Sequence, residues 1–210
     1  RRAFQRAMVL ADDSTPVVGI GCTAALATDR PKKGGHRAYV SRCMADSVFT
    51  YNVVFTKGLR DRTGEDEIVS LLILQALAEA SDVEFQLTIP LIPPERIAVE
   101  GSGDPTARLL AGVLDSVLIE PNGERTEGTK TTGAVLSGSF DPLHDGHREL
   151  AAIASDLLGA PVTFEISVTN VDKPALGAST VRARLAQFAG AYNVVLTRAP
   201  TFAEKATVLP

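Results

Sequence analysis

Apolar residues in this chain come in short blocks whose period switches between about two and about 3.6, and each switch predicts an element. Residues 1–11 join a basic start to an apolar end and predict an amphipathic helix. The apolar run at 17–20 predicts a buried strand entering a small-residue loop, Gly21-Cys22-Thr23-Ala24-Ala25-Leu26, with a second strand leaving the basic turn that follows. Residues 49–57 predict a third strand. Ile68, Leu71, Leu72, Leu74, Ala76 and Leu77 then predict a helix apolar around much of its circumference, hence largely buried. Its expected N-cap is Thr63, with Asp66 three residues on. Residues 85–89 predict another strand.

Pro90, Pro93 and Pro94 break this pattern. Residues 93–132 read as a linker holding two loops, a short helix at 106–114 and a short strand at 116–120. Strand-like runs at 134–136, 161–168 and 193–197 then alternate with helix-like segments beginning at Glu149 and Val181, the second capped by Ser179. The predicted class is α/β: an α/β layer over 1–92, the linker over 93–132, and a second α/β region over 133–210.

Composition narrows the field. With 210 residues and 45% apolar content the chain can bury a core. A formal charge of −4 argues against a nucleic-acid partner, and no apolar run approaches the ~20 residues of a membrane span. Two cysteines, Cys22 and Cys43, follow no metal-binding spacing and suggest a reducing, cytoplasmic setting. Cys22 reads as a small buried thiol, and His36 as a turn residue. Composition leaves a homo-oligomer open.

Chemistry concentrates in residues 138–147, Gly138-Ser139-Phe140-Asp141-Pro142-Leu143-His144-Asp145-Gly146-His147. A strand, a Gly-containing turn and a helix start in that order present backbone N–H groups and a helix dipole to anions. His144 and His147 are two of only three histidines in the chain, and their spacing puts both on one side of a first helical turn. Gly146 between them has no side chain to obstruct a phosphate.

The decapeptide resembles the mark of the nucleotidyltransferase superfamily of adenylyl- and cytidylyltransferases, Gly-Ser/Thr-Phe-Asp-Pro-x-His-x-Gly-His, at every fixed position. The resemblance implies in-line attack by an acceptor's phosphate oxygen on the α-phosphate of ATP or CTP, with pyrophosphate leaving. It assigns His144 and His147 to the reacting phosphates, and backbone donors at Gly138, Ser139 and Phe140 to phosphate oxygens. Mg²⁺ is implied by the triphosphate, without a nameable protein ligand. Lys173, in the Asn170-Val171-Asp172-Lys173-Pro174 segment after a strand, is expected at the same crevice. Ser179-Thr180-Val181-Arg182 echoes the family's second signature but stands too near the histidines, so Arg182 and Arg184 are assigned as surface charges. The resemblance implies a doubly wound, Rossmann-like parallel sheet over 133–210; the family's domain has about five parallel strands, so it also implies that this chain carries the first half and is cut at both ends.

Residues 17–42 resemble the C-terminal domain of the CinA family, whose members deamidate nicotinamide mononucleotide. The family's Gly-rich tract is replaced here by Cys22-Thr23-Ala24-Ala25-Leu26, which implies a degenerate or regulatory relative. Lys32 and Lys33 form a possible second phosphate contact. The two regions together resemble two-part nicotinamide-nucleotide adenylyltransferase-like proteins, which implies small-molecule nucleotide substrates: ATP as donor and nicotinamide mononucleotide as favoured acceptor. Alternatives are a cytidylyltransferase acting on a phosphorylated alcohol, a non-catalytic nucleotide sensor, and a deamidase working through the first region.

Overall fold

A computed structural model describes residues 1–12, 15–30, 33–85, 87–128 and 131–209. The protein is mixed α/β, with one antiparallel sheet, one mixed sheet and, among the described residues, six helices. It divides into two compact units, Arg1–Gly103 and Asp104–Pro210.

In the first unit, α1 (Arg2–Leu10) leads to β1 (Gly19–Ala25), β2 (His36–Cys43), β3 (Val48–Phe55), α2 (Arg62–Ala80) and β4 (Ile97–Ser102). The strands form one antiparallel sheet in chain order. Ala38 and Val40 of β2, and Phe49, Tyr51, Val53 and Phe55 of β3, alternate inward and are buried, as are Ile68, Val69, Leu72 and Ala76 of α2. A side chain at Gly19 would stand 2.2 Å from the backbone nitrogen of Phe4, so only glycine allows α1 to lie this close to β1. Arg42, Tyr51 and Glu79 form a largely buried polar cluster in which Arg42 Nε donates to the Tyr51 hydroxyl at 3.0 Å and that hydroxyl donates to Glu79. Burial, with the Glu79 carboxylate adding to it, pushes the Tyr51 phenol well up.

Several sequence expectations change here. Residues 21–25 are not an anion loop: they complete β1 and pair with β2 from Gly19↔Cys43 through Ala25↔Arg37. The N-cap of α2 is Asp61, whose carboxylate accepts from Gly64 N–H at 2.8 Å, rather than Thr63. Only one face of α2 is buried, leaving Leu74 and Leu77 exposed. Of the strand expected at 85–89, Gln86 lies outside the described residues and the others belong to no strand; β4 pairs with β3 instead, where Ile97 and Val99 offer the alternation.

Residues 93–132 are not a linker but are divided between the two units. Beyond β4 they supply α3 (Pro105–Leu110), β5 (Ser116–Ile119) and β6 (Arg125–Glu127) to the second unit. Asp104 starts α3 by accepting from Thr106 and Ala107 N–H, with Pro105 preset at the first helical position.

The second unit continues with β7 (Ala134–Ser137), α4 (Asp145–Leu158), β8 (Val162–Ser167), α5 (Ala178–Ala186), β9 (Val194–Thr197) and α6 (Phe202–Val208). Its sheet runs β6-β5-β9-β8-β7. The expected parallel sheet is present as β7-β8-β9, but β5 joins β9 antiparallel and a short turn returns β6 antiparallel to β5, so the sheet is mixed. Gly177, not Ser179, caps α5, and α4 ends at Gly159 with φ of 59°. The core joins Phe140, Phe164, Ile166, Val181, Phe188, Val194 and Leu196.

Candidate functional site

The decapeptide begins where β7 ends. Gly138 N–H donates to the Glu165 carbonyl at 3.0 Å and so extends the ladder to β8. That amide is therefore not the phosphate donor expected from the sequence. Gly138 is small for another reason: a Cβ there would meet the tip of the Phe140 ring at 2.8 Å. Ser139 is exposed. Phe140 turns inward with φ of 47°, a left-handed conformation unusual for a phenylalanine. Its ring is buried, edge-on to Phe164 at 5.2 Å and to Phe188 at 5.4 Å. The peptide between Asp141 and Pro142 is cis.

This turn delivers the two histidines together. His144 is the N-cap of α4 and His147 is its third residue. Their rings stack at 3.7 Å between centroids and 25° between planes. His144 N–H donates to Nδ1 of His147 at 3.3 Å, and His147 N–H donates to the His144 carbonyl at 3.0 Å. With Nδ1 accepting, the proton of a neutral His147 belongs on Nε2, which leaves an N–H donor for an incoming oxygen. The ring also meets Phe140 edge-on at 5.0 Å. Partial desolvation, with the nearby His144 charge, holds the His147 imidazole below its ordinary pKa. His144 is exposed, and Gly146 leaves room beside it: a Cβ there would stand 3.4 Å from the ring.

Two residues that the sequence did not single out hold this turn. Gln187 accepts from Leu143 N–H at 2.7 Å and donates through Nε2 to the Phe140 carbonyl at 3.0 Å. Arg184, expected to be a surface charge, has a side chain only 15% exposed and places a guanidinium nitrogen 3.2 Å from the Asp141 carboxylate. Nothing in a lone Gln or Arg on a helix of mixed pattern signals such contacts. Arg182 is exposed, as expected.

Lys173 is exposed in the loop after β8, which Leu176 N–H closes on the Val168 carbonyl at 2.8 Å. Because β7 and β8 are parallel neighbours, this loop and the decapeptide leave the same edge of the sheet. A separate cavity of about 220 Å³ lies between α5 and the β5–β6 turn, lined by Ile119, Leu185, Phe188, Tyr192, Arg125 and Arg182 among others, and it includes neither histidine.

In the first unit, Lys33 is exposed in the turn before β2, and Lys32 lies outside the described residues. His36 is not a turn residue: it opens β2, is buried, and sets Nδ1 2.7 Å from Oε1 of Glu65, whose other oxygen accepts from Ala27 N–H at 2.7 Å. Cys22 is exposed rather than buried, and Cys43 takes the interior position. Partial burial of its sulfur, with Asp66 nearby, raises the Cys22 thiol, the wrong direction for a nucleophile.

Compared with protein-family models, with curated proteins and with solved structures, the chain gives no match. Among the described residues, no helix is long and apolar enough to cross a membrane.

Proposed function

We propose that the second unit binds a nucleoside triphosphate at the start of α4 and transfers its nucleotidyl group to a phosphorylated acceptor. The observation that carries this reading is the 3.7 Å stack of His144 on His147 at the N-terminus of a 14-residue helix beyond a parallel strand. Two imidazoles, the start of a helix and the helix dipole converge there, a combination suited to the negative charge of a polyphosphate. In the reaction an acceptor phosphate oxygen bonds to the α-phosphorus while the bond to the β-phosphate bridging oxygen breaks, and pyrophosphate carries away the electron pair. Charge grows on the phosphate oxygens as that bond opens. The Nε2–H of His147 and the imidazole of His144 are the groups in position to neutralise it.

The resemblance of residues 138–147 to the nucleotidyltransferase mark supports ATP as donor, and the Lys173 segment supports a pyridine mononucleotide as acceptor. The open, parallel β7-β8-β9 core, with both loops on one edge, suits a Rossmann-like crevice of that class. For Mg²⁺ the flanking carboxylates do not form a ligand set, because Asp141 is paired with Arg184 and Asp145 with Arg148 at 2.8 Å. An ion arriving with the triphosphate would be held by phosphate oxygens and waters.

The test is pyrophosphate release with ATP or CTP against nicotinamide mononucleotide or a phosphorylated alcohol, alongside calorimetric titration of each nucleotide. ATP-dependent release is the expected result. A preference for CTP would make the enzyme a cytidylyltransferase, and binding without release would make the unit a sensor.

A further inference from the structure

We propose that Gln187, seconded by Arg184, is a positioning residue that braces the turn carrying His144 and His147; the brace deepens the nucleotidyl-transfer reading, on which its effect on nucleotide rests. The turn runs from Gly138, fixed to β8, to His144, where α4 begins. Between those points the chain makes a left-handed residue at Phe140, a conformation that non-glycine residues hold only when their surroundings impose it.

The surroundings here are α5. Gln187 stands at the C-cap of that helix, 44 residues along the chain from Leu143 and 47 from Phe140, yet its amide closes on both. One end of the amide takes the N–H of the residue immediately before His144. The other end takes the carbonyl of the residue whose ring touches His147. Arg184, one helical turn earlier, takes the carboxylate of Asp141 between them. The turn is thus held at three points, Phe140, Asp141 and Leu143, by one helix, and the two bonds to Gln187 use both functions of a single planar group. Among natural side chains only Gln and Asn carry a neutral donor and acceptor in that arrangement. Arg184 Nε is buried without a hydrogen-bond partner, so it is the Asp141 contact that occupies this guanidinium at the turn.

The brace and nucleotide binding can be tested separately on the full chain. Gln187→Leu keeps bulk and removes both hydrogen bonds; Gln187→Glu keeps the acceptor for Leu143 N–H and loses the donor to Phe140. Imidazole titrations followed by NMR report directly on the ring pair, whatever the ligand. The His147 midpoint is expected to rise toward the usual value of about 6.5 in Gln187→Leu, as the ring leaves His144 and Phe140. A smaller rise is expected in Gln187→Glu. An unchanged His147 titration in a Gln187→Leu protein with native circular dichroism overturns the brace. If that variant does not fold, an unchanged titration in Gln187→Glu overturns it instead.

ATP affinity is the second readout. Where the wild-type chain binds ATP, Gln187→Leu should weaken it about tenfold, the scale of a net hydrogen bond; undiminished affinity counts against the brace. A wild-type chain that binds no ATP would remove the functional reading, and the ring titrations would still decide the brace.

Discussion

Lys205 of α6 holds its ammonium 2.8 Å from Oε2 of Glu165, a carboxylate with no exposed surface in the middle of β8. Oε2 has no aligned hydrogen bond, so the contact is an ion pair, while Oε1 accepts from Thr197 Oγ1 at 2.5 Å. Side chains alternate along a strand, so Glu165 points away from the aromatic cluster that contains its neighbour Phe164. α6 therefore lies on the sheet face opposite Phe140 and Phe188. The helix is tied to its own start by Thr201 and Glu204, which cap each other, with Thr201 N–H donating to Glu204 at 3.0 Å.

Lys205→Met should destabilise the protein by about 3 kcal/mol, because removing one partner of a buried pair leaves the other charge without compensation. Adding Glu165→Gln to that variant should recover part of the loss. Urea unfolding of the two proteins measures both effects. A Lys205→Met midpoint equal to wild type would mean that the pair contributes no net stability.

How far the sequence foretold this molecule depends on whether a contact was local. β7, β8 and β9 were legible because each is a short run of apolar and β-branched residues bounded by breakers, and the histidine pair was legible because its spacing fixes one helical face. β4 was missed although Ile97, Val99 and Gly101 alternate, because three nearby prolines read as a linker. At Gly101 a Cβ would stand 2.2 Å from the Val48 carbonyl, so that glycine marks close strand packing rather than a loop. Gln187 and Arg184 carry no local sign at all: their partners lie more than forty residues away. Glu165 offered a faint signal, a lone charge inside an apolar strand, which calls for a buried partner.

Gly138→Ala should be costly despite the small size of the change. The new methyl would lie 2.8 Å and 2.9 Å from atoms of the Phe140 ring, closer than carbon atoms normally approach. Phe140 cannot retreat freely, because Phe164 and Phe188 meet it edge-on and Gln187 holds its carbonyl. The expected loss is about 1–3 kcal/mol, the usual range for overpacking. Thermal unfolding checks it, and His147, in edge contact with the displaced ring, should show a shifted NMR signal.

Acid should weaken the first unit through Glu95. Burial alone would raise this carboxyl, but N–H groups of Thr56 and Ile92 and the guanidinium of Arg60 donate to it and hold it below its ordinary value. A depressed carboxylate pKa means that the unfolded chain takes up the proton first. The stabilisation is fully present above the unfolded value of about 4.3 and disappears as pH falls through the lower folded value. Glu95→Gln should be less stable than wild type at neutral pH, and the gap should narrow on acidification in paired urea titrations. A constant gap would assign the effect to lost hydrogen bonds alone.

His147 links the folding and binding arguments, because both depend on its proton. Its pKa is lowered by desolvation and by His144, so the unfolded chain binds that proton more readily. Stability from this group is present above the unfolded value of about 6.5 and is lost as pH falls through the lower folded value. Phosphate acts in the opposite sense: a polyanion beside the ring favours the charged imidazole, so binding should draw a proton onto Nδ1 in place of the hydrogen bond from His144 N–H. Nucleotide affinity should therefore rise as pH falls from about 7 toward 6, with proton uptake seen as a buffer-dependent calorimetric enthalpy. His147→Ala should abolish both the uptake and the pH dependence. In the transfer assay it should lower turnover by about 10²–10³-fold, the scale of losing one donor to a developing charge. Full turnover in His147→Ala would remove the ring pair from the chemistry and leave it as the cap of α4.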